Sequence, residues 1–488
     1  MRMATYSARF LSPRSDRTAS RSAGPTNIQN HNTRKSLAKR YTSGVSTGIG
    51  LPDSRSTGIP ACVSFVQKQH RQECLCYRTV AVLLAVAFCG LQGSEPAGSV
   101  YLSRRAELRK ALPNGIAVLF GRSEGDSDDL RSGFYQEPNF YYLTGWNQPG
   151  AILMLDPTGE TIFLPHKDPE AEKWTGAKAS AQDRNAAAVT GFEQVMSVPA
   201  FESELAKLMR QYPRLYALKG TRLEKLAPLR EISDVQPAIA KLRMKKSPEE
   251  IALIERATNV SIEAHRAAWK RAAPGLYEYQ VASTMTGVFA ENGCERAAYS
   301  PIVGSGPNSV FLHYSRNKRR MDRGEILLMD VAAECSAYAS DITRTIPVGA
   351  KFSKRQREIY DVVLGAQRAA IAAVKPGMTI AKTSPNSLYK IAYDYINTHG
   401  KDLHGEPLGK YFTHGLSHHV GLEVHDASDP NSPLEAGMVI TVEPGVYIPE
   451  EQIGVRLEDV VLVTENGAKV LSGALPTAPE EIERAIAR

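Results

Sequence analysis

The chain has 488 residues, of which 42% are hydrophobic and 23% charged, and this composition is typical of a globular protein with two or three domains. The net charge of +7 is unevenly distributed: residues 1–78 hold 13 basic residues against three acidic ones, whereas the rest holds 46 basic and 49 acidic residues. Residues 79–488 are mildly acidic and do not indicate nucleic-acid binding, so no nucleic-acid partner is expected.

The amino-terminal segment, residues 1–78, is rich in Ser, Thr, Arg and Gly and lacks apolar periodicity, so we expect a disordered basic tail. Arg78 is followed by about a dozen apolar residues and then by a small-residue exit, and this pattern is typical of a signal peptide over residues 79–98. A membrane-spanning helix needs about 20 apolar residues, so no stable membrane insertion of the mature chain is expected.

The position of this signal-like segment leaves its role open. A signal peptide starts close to the initiator Met, so the sequence as given would begin too far upstream. An Arg- and Ser-rich organelle transit sequence is one alternative, and a buried core element of a cytoplasmic protein is the other. Export to the periplasm or the medium is the favoured expectation.

Cysteines are divided between the two parts of the chain. Four lie in the first 90 residues, and only Cys294 and Cys335 lie in the body. Cys74-Leu-Cys76 has the wrong spacing for a zinc knuckle, and no partner pair follows it. Two cysteines in so long a body do not predict a disulfide framework, and they say little about the compartment.

Residues 99–240 alternate short apolar runs with polar segments, which predicts a small α/β domain. Strands are expected at residues 115–120, 151–155 and 161–165, and a helix is expected at residues 201–209. The segment 139–147 concentrates four aromatic residues. These are expected either at the end of a strand in the core or along a substrate cleft.

Residues 241–488 form a second predicted unit in which helix signals occur twice. Ser247-Pro-Glu-Glu250 opens one helix, which ends near Pro274-Gly275 and is followed by another that ends at Asn292-Gly293. Ser353 opens a third helix, which ends at Pro376-Gly377 and precedes a further helical stretch at residues 389–396. Each pair is followed by strands that carry ionisable residues. We therefore expect an internal duplication with a metal site between the halves, although Pro-Gly is a common helix breaker.

Four carboxylates and one imidazole lie in local sequences typical of metal ligands. The candidates are Asp330, Asp341, His418, Glu443 and Glu458. A carboxylate that closes an apolar run, as Asp330 does, is costly to bury unless it is paired or binds a cation. This set suits two divalent cations such as Mn²⁺, Co²⁺ or Zn²⁺, which together can activate one water for hydrolysis. Metal-assisted hydrolysis is the predicted reaction class.

Simpler interpretations of these residues are disfavoured. Asp330 and Asp341 could be exposed acids of a hairpin, and a lone histidine is usually structural. His414 and His418 have the spacing of a zincin, but no Glu follows His414 and Gly415 disfavours a helix. The combination of the acidic motifs with several nearby histidines favours a metal centre of another kind.

The second unit resembles the pita-bread metallopeptidases, which include methionine aminopeptidase, prolidase and aminopeptidase P. The resemblance covers residues 241–488 and includes all five candidate ligands in order. The motifs His414-Gly-Leu-Ser-His418 and Glu443-Pro-Gly-Val-Tyr447, with the Ser305-Gly-Pro-Asn308 stretch that leads to His313, are most similar to aminopeptidase P. Prolidases usually have Gly where Ser417 stands.

The preceding unit also resembles the amino-terminal domain of aminopeptidase P and prolidase, which methionine aminopeptidases lack. The implied fold is α+β, with a pita-bread catalytic domain of pseudo-twofold duplication at residues 241–488 after a smaller α/β domain at residues 99–240. One departure concerns Tyr135-Gln136-Glu137-Pro138, where aminopeptidase P often has Arg-Gln-Asx-Ser. This chain therefore has Tyr135 where that Arg would stand.

The resemblance implies a role for each metal ligand. Asp330 would chelate one metal, and Asp341 and Glu458 would bridge both. His418 would be the sole imidazole ligand. Glu443 would be a terminal ligand and would also carry protons between the attacking water and the departing amine.

The resemblance also implies roles for residues around the metals. His425 would donate to the carbonyl oxygen as charge develops there, and His313 and His414 would position substrate or transfer protons. Arg456 would either support the ligands or bind the carboxyl end of the substrate. Tyr447 would add a hydrogen bond at the metals or in the pocket.

The expected function is removal of the first residue from peptides whose second residue is proline, by a homo-oligomer (dimer or tetramer) that uses two divalent metal ions, with Mn²⁺ favoured. One alternative is a prolidase, which accepts only dipeptides. A more distant alternative is a pita-bread binding protein without catalysis. Such relatives usually lose metal ligands, and all five candidates are present here.

Overall fold

The structure is a computed structural model that describes residues 99–124, 133–228, 230–349 and 351–487. The predicted basic tail at residues 1–78 and the signal-like segment at residues 79–98 lie outside the described residues. Across the described ranges, no helix has the length and apolar character needed to cross a bilayer.

The described α-helices are numbered in chain order. They are α1 Ser99–Ala111, α2 Pro138–Thr144, α3 Pro169–Thr175, α4 Ala186–Thr190, α5 Phe201–Leu208, α6 Leu223–Leu226, α7 Gln236–Met244, α8 Pro248–Arg271, α9 Glu278–Glu291, α10 Lys354–Ala373, α11 Leu388–His399 and α12 Pro479–Ile486. Short 3₁₀ turns occur at Val198–Ala200, Gly306–Val310, Leu408–Tyr411 and Pro449–Glu451.

The described strands are numbered in the same way. They are β1 Gly115–Phe120, β2 Ile152–Leu155, β3 Glu160–Leu164, β4 Gln194–Ser197, β5 Arg214–Ala217, β6 Ile232–Asp234, β7 Arg296–Ala297, β8 Ile302–Ser305, β9 Ile326–Asp330, β10 Ala333–Cys335, β11 Tyr338–Ala339, β12 Thr343–Pro347, β13 Val439–Val442, β14 Gly445–Ile448, β15 Ile453–Arg456, β16 Asp459–Thr464 and β17 Gly467–Val470.

The amino-terminal part of the described chain forms a six-stranded mixed sheet of order β4-β3-β2-β1-β5-β6. Side chains alternate along β1, so Ile116 and Val118 join one core while Ala117 and Leu119 join another on the opposite face. Because both faces are covered, the central strands β1 and β2 are continuous apolar runs. The predicted strands β1, β2 and β3 and the predicted helix α5 are confirmed.

The aromatic segment at residues 139–147 is a helix, so its placement at a strand end was wrong. Pro138 begins α2, and the side chain of Glu137 accepts a hydrogen bond from the amide of Phe140, which caps the helix. Gly145 ends α2 in the left-handed conformation, with φ of 65°. These end signals outweigh the β-propensity of the aromatic residues.

The second half of the chain shows the repeated helix pattern predicted from the sequence. Ser247 and Glu250 form a reciprocal capping box at the start of α8, and Ser353 and Gln356 form the same box at the start of α10. Helix α9 follows α8, and α11 follows α10; each pair precedes strands of the catalytic half. The expected α+β organisation is therefore confirmed.

The strands of the two halves meet at the centre of this part of the fold. Strand β9 pairs with β8 and β12, and β13 pairs with β16. An antiparallel bridge joins Thr343 to Glu458, and the amide of Glu458 donates to the carbonyl of Thr343 at 3.1 Å. The bridge places Asp341 of the first half close to Glu458 of the second.

Cys294 and Cys335 form a disulfide, which the sequence did not predict. Cys294 follows α9 and Cys335 ends β10, so the bond joins a helix end to the small sheet β11-β10-β7. Both cysteines are buried. No cysteine thiol therefore remains free in the described part of the chain.

Candidate metal centre

The two aspartates lie at the edges of paired strands in the first half. Asp330 ends β9 and lies opposite Thr343, the first residue of β12. Asp341 stands two positions before Thr343, after the β10–β11 hairpin. The hydroxyl oxygen of Tyr299 lies 2.5 Å from Oδ1 of Asp330 and 2.6 Å from Oδ1 of Asp341, so the two carboxylates face one another.

The second half contributes the histidine and the two glutamates. Glu443 follows β13, and Glu458 connects β15 to β16. The segment with His418 runs beside β13, because the amide of Thr441 donates to the carbonyl of His418 at 2.9 Å. Nε2 of His418 lies 3.3 Å from Oδ2 of Asp341 and 3.4 Å from Oε1 of Glu443.

The structure thus brings the predicted ligands of both halves together. Asp341, His418 and Glu458 offer ligand atoms that all lie within 4.8 Å of one another, and no other such group occurs among the residues that the structure describes. Glu443 joins this group through His418, and Asp330 joins it through Tyr299.

Burial and mutual repulsion raise the pKa of three carboxyl groups in this cluster. Burial raises the pKa of Glu443 to about 7, and the charge of Asp341 adds to the effect. Burial and Asp341 also hold the pKa of Asp330 and that of Glu458 above their ordinary values. Glu443 is therefore partly protonated near neutral pH when no cation is present.

The donor set fits two divalent cations. Four carboxylates and one imidazole match the hard-to-borderline ligands of Mn²⁺, Co²⁺ or Zn²⁺. Burial lowers the pKa of His418, but its hydrogen bond to Asp341 and the charge of Glu443 outweigh burial and raise this pKa to about 9. Without metal, the proton on His418 therefore offsets the repulsion between the carboxylates. A bound cation would offset the same repulsion.

Arg456 supports the cluster from a buried position. Its guanidinium donates to Oδ2 of Asp330 at 2.6 Å, to the hydroxyl of Tyr447 at 2.8 Å and to Oγ1 of Thr343 at 3.1 Å. Thr343 in turn donates to Oε2 of Glu458 at 2.6 Å. Because three donors of Arg456 are engaged within the protein, the geometry favours support of the ligands over binding of a substrate carboxylate.

The hydrogen bonds of His414 identify its tautomer. Nδ1 faces the carbonyl of Gly415 at 2.7 Å, and a carbonyl can only accept, so Nδ1 carries the proton. Burial and the charge of Arg456 lower the pKa of His414 to about 3, so the ring is neutral at pH 7. Nε2 is then an acceptor for the hydroxyl of Tyr447, which lies 2.8 Å away.

The two remaining predicted histidines lie near the cluster on exposed segments. The ring centroid of His425 is 4.1 Å from that of His418. Burial and the charge of His418 lower the pKa of His425, which keeps this ring neutral at pH 7. His313 is exposed on the loop after the 3₁₀ turn Gly306–Val310. It lies near enough to His414 and His425 to contribute to the lowering of their pKa.

Three polar residues at the centre were missed by the sequence reasoning. Tyr299 contacts both aspartates, Thr343 contacts Glu458, and Thr441 bridges the amide of His418 (3.1 Å) and Oε1 of Glu443 (3.2 Å). Thr343 and Thr441 each stand two positions from a predicted ligand, and that spacing could have indicated them. Tyr299 has no comparable local signal.

A cavity of about 720 Å³ lies beside Tyr299. Its walls come from the amino-terminal sheet domain, including Tyr141, and from the catalytic half, including Glu334 and Val424. The ring of Tyr135 is stacked between the guanidinium groups of Arg122 and Arg296, whose Cζ atoms lie 4.0 and 4.2 Å from its centroid. Two arginines thus lie against the ring of Tyr135.

Comparison with known proteins agrees with this geometry. Residues 252–465 match the model of metallopeptidase family M24, and residues 101–216 match that of the aminopeptidase P N-terminal domain. The chain is 35% identical over 402 residues to a Xaa-Pro aminopeptidase of Haemophilus influenzae, covering 76% of this chain and 93% of the relative.

Two further relatives bear on the choice between activities. A Xaa-Pro dipeptidase of Pyrococcus furiosus is 34% identical over 353 residues, covering 71% of this chain and 94% of the relative. Among solved structures, aminopeptidase P from E. coli with the inhibitor Pro-Leu has a TM-score of 0.71 and 31% identity, covering 80% of this chain and 99% of that chain.

Proposed function

The chain belongs to metallopeptidase family M24 and is a metalloaminopeptidase, and from this premise we propose that it hydrolyses the bond between the first residue and a proline in second position. The observation that carries the proposal is the convergence of four carboxylates and His418 from both halves into one buried cluster. The amino-terminal domain, matched at residues 101–216, supports the aminopeptidase P type.

We propose that Asp330, Asp341, His418, Glu443 and Glu458 hold two divalent cations, with Mn²⁺ favoured and Co²⁺ or Zn²⁺ as alternatives. Such cations polarise a carbonyl and lower the pKa of a water molecule. The bond to a proline nitrogen is a tertiary amide without an N–H, so this substrate offers one hydrogen-bond donor fewer than an ordinary peptide. A site that acts on the carbonyl oxygen, through cations and hydrogen-bond donors, does not need that N–H and so suits such a bond.

Glu443 is suited to move protons during this hydrolysis. Its Oε1 lies 3.4 Å from Nε2 of His418, so the carboxylate is in the cluster where an activated water would attack, within reach of the proton that must move. Oε1 is fixed by Thr441 at 3.2 Å, which leaves Oε2 directed towards His414 at 3.6 Å. In this proposal Glu443 takes a proton from the attacking water and returns it to the proline nitrogen as that bond breaks.

The neutral histidines and Tyr447 then orient the peptide. His425 is exposed beside His418 and can donate to the carbonyl oxygen as negative charge develops there. Both ring nitrogens of His414 are engaged, which favours a role in positioning Tyr447 over direct proton transfer. His313 lies on an exposed loop, and in this proposal it contacts the part of the peptide beyond the scissile bond.

The cavity beside Tyr299 provides space for the first side chain of the peptide. The free α-amine is attracted to the carboxylate end of the cluster at Asp330 and Asp341, where Tyr299 lies. The cavity opens at the same residue and is large enough for a bulky side chain. Access to a large first residue is therefore part of the proposal.

A prolidase activity is the second candidate, and the similarity to a Xaa-Pro dipeptidase favours considering it. A binding protein without catalysis is disfavoured, because every candidate metal ligand is present and placed in the cluster. We retain a homo-oligomer as the expected assembly.

Export remains our proposal for the compartment. The disulfide between Cys294 and Cys335 supports it, because such bonds persist mainly in oxidising compartments. Mass spectrometry of the mature amino terminus tests this: a terminus after the signal-like segment supports export, and a terminus upstream of Thr79 contradicts it.

The function is tested by stripping the protein of metal, adding back Mn²⁺, and comparing a tripeptide Xaa-Pro-Yaa with the dipeptide Xaa-Pro. Metal-dependent cleavage of the tripeptide supports the proposal, whereas cleavage of the dipeptide alone makes the protein a prolidase. Inactivity on both substrates contradicts both activities. Glu443→Ala should lose at least about 100-fold in turnover, and Glu435→Ala, at an exposed glutamate, is the matched control.

A further inference from the structure

The orientation of His418 depends on a carbonyl that also anchors a second residue. Nδ1 of His418 lies 3.1 Å from the carbonyl oxygen of His419, so Nδ1 carries a proton and donates it there, while Nε2 faces the carboxylates. The same carbonyl accepts the amide N–H of Asp426 at 2.9 Å. The carbonyl of His419 therefore both closes the turn that leads to Asp426 and orients the ring of His418.

The side chain of Asp426 is held by two buried cations. Oδ2 accepts from Nζ of Lys246 at 3.0 Å, and Oδ1 accepts from Nη2 of Arg243 in a short hydrogen bond. Only about 1–2% of each of these three side chains is exposed. Lys246 and Arg243 hold the pKa of Asp426 below its ordinary value despite burial, so the carboxylate is charged across the working range.

Gly421 makes room for this carboxylate. A Cβ atom added at Gly421 would lie 2.4 Å from Oδ2 of Asp426, far inside contact distance. The carbonyl of Gly421 also accepts the amide of Ala339 at 2.8 Å, which ties the turn to β11. The turn is thus built around the carboxylate of Asp426, and His425 is the residue that immediately precedes it.

Arg243 connects the same carboxylate to the amino-terminal domain. Its Nη1 donates to Oδ1 of Asn139 on α2 at 2.8 Å. The amide nitrogen of Asn139 donates to Glu137 at 2.9 Å and to Gln236 at 3.0 Å, so the asparagine is fixed by two further contacts. A continuous chain of hydrogen bonds therefore runs from α2 through Arg243 and Asp426 to the histidine of the cluster.

We propose that Asp426, clamped by Arg243 and Lys246, is a positioning residue that fixes His418 for metal binding and His425 for the substrate carbonyl, and that Asn139 makes the amino-terminal domain part of this clamp. A buried group of charges contributes little to the free energy of unfolding, since apolar residues of similar volume often stabilise a protein equally well. Groups that hydrogen-bond to metal ligands, in contrast, strongly affect metal affinity.

This inference rests on the proposed metal centre, so its test measures metal affinity without any peptide. The variants are Asp426→Asn, which removes the charge but keeps the size, and Arg243→Met. The control is Arg105→Met in the amino-terminal domain, where a guanidinium with 1% exposure pairs with Glu160 at 2.7 Å away from the cluster. Affinity for Mn²⁺ is measured by competition with a chelating dye, and folding is followed by thermal unfolding.

Asp426→Asn and Arg243→Met should weaken Mn²⁺ binding by about 10- to 100-fold, whereas Arg105→Met should leave it within about twofold at a comparable loss of thermal stability. Asn139→Ala, which keeps the ion pair, should show a smaller loss in the same direction. Should Arg243→Met fail to fold, Asp426→Asn and Asn139→Ala still decide the matter. Unchanged affinity in these two variants, or an equal loss in Arg105→Met, would overturn the proposal.

Kinetics separate this inference from the proposed function. At saturating Mn²⁺, Asp426→Asn should lower kcat for Xaa-Pro-Yaa more than it raises KM, because His425 acts on the reacting carbonyl. Wild-type protein that binds Mn²⁺ tightly but cleaves no such peptide would refute the proposed function while leaving the clamp measurable by metal affinity. A KM effect alone would contradict the assignment to His425.

Discussion

The hydroxyl of Tyr299 lies 2.5 Å from a carboxylate oxygen of Asp330, and the same hydroxyl lies 2.6 Å from an oxygen of Asp341. The phenol donates towards both carboxylates, so its one proton is shared between them. Burial and the charge of Asp341 hold the pKa of Asp330 above its ordinary value. Tyr299 thus acts as a spacer between two groups that would otherwise repel each other.

Replacing Tyr299 with Phe should weaken metal binding. The variant removes the hydrogen bonds to both aspartates but keeps the ring, so affinity for Mn²⁺ should fall by about 10- to 100-fold. Competition with a chelating dye measures the change. Tyr314→Phe, which removes a phenol bonded at 2.8 Å to Glu278, is the matched control. Equal affinities for wild type and Tyr299→Phe would show that the phenol does not support the ligands.

Metal binding should release protons at neutral pH. Burial and the charge of Asp341 raise the pKa of Glu443 to about 7, so this carboxyl is about half protonated at pH 7 without metal, whereas a bound ligand is deprotonated. Calorimetric titration with Mn²⁺ in buffers of different ionisation enthalpy should therefore give different apparent heats. Heats that do not depend on the buffer would contradict the prediction.

Glu443 should contribute a loss of stability to the metal-free protein as the pH rises towards 7. The pKa of Glu443 is about 7 in the folded state, against an ordinary value of 4.5. A carboxyl with a raised folded pKa contributes stability that is complete below the unfolded pKa and is lost as the pH rises through the folded pKa. The rise in Tm on adding Mn²⁺ should consequently grow from pH 5 to pH 8. Glu443→Gln should flatten this trend for the metal-free protein, and a trend unchanged by that substitution would assign it to other groups.

Arg344→Met should be strongly destabilising. The buried guanidinium donates to Asp459 at 2.7 Å and to the carbonyls of Glu458 and Leu475 at 2.7 and 3.0 Å, so its removal leaves a buried carboxylate unpaired. The expected loss is about 3–5 kcal/mol in the free energy of unfolding, measured by denaturant titration with metal present. Arg357→Met, in a partly exposed pair with Asp361, should cost at most about 1 kcal/mol. Similar losses in the two variants would argue against the importance of burial.

Removal of the disulfide should lower stability without changing the metal ligands. Cys294 and Cys335 are 41 positions apart, and opening a loop of that kind typically costs about 2–4 kcal/mol. The double variant Cys294→Ala/Cys335→Ala should show this loss under oxidising conditions, and a reducing agent should destabilise only the wild type. If the reducing agent leaves the wild type unchanged, the bond does not contribute to stability.

The predictable parts of the molecule were those with local signals. The capping boxes at Ser247 and Ser353 were recognisable because a cap and its partner stand three positions apart. The candidate ligands were recognisable because acids end apolar runs, as Asp330 does at the end of β9. The contacts of Tyr299 could not be predicted, since the residues it joins lie 31 and 42 positions away.

The errors also have physical causes. Aromatic residues 139–147 suggested a strand because aromatic side chains favour sheets, but Glu137 and Pro138 start a helix there. The disulfide depends on the packing of α9 against its neighbouring sheet, which spacing alone does not reveal. Arg243 was not noticed because its partner Asp426 is 183 positions away.

The bridge between Thr343 and Glu458 joins the two halves of the catalytic domain, and neither half alone contains all residues of the proposed metal centre. A fragment that stops before α10 contains Asp330 and Asp341, and the complementary fragment contains His418, Glu443 and Glu458. Each piece alone would present a few unpartnered acids and would bind cations weakly. Mixing the two pieces would restore binding only if they reassemble, so metal affinity would serve as a direct report on complementation between the halves.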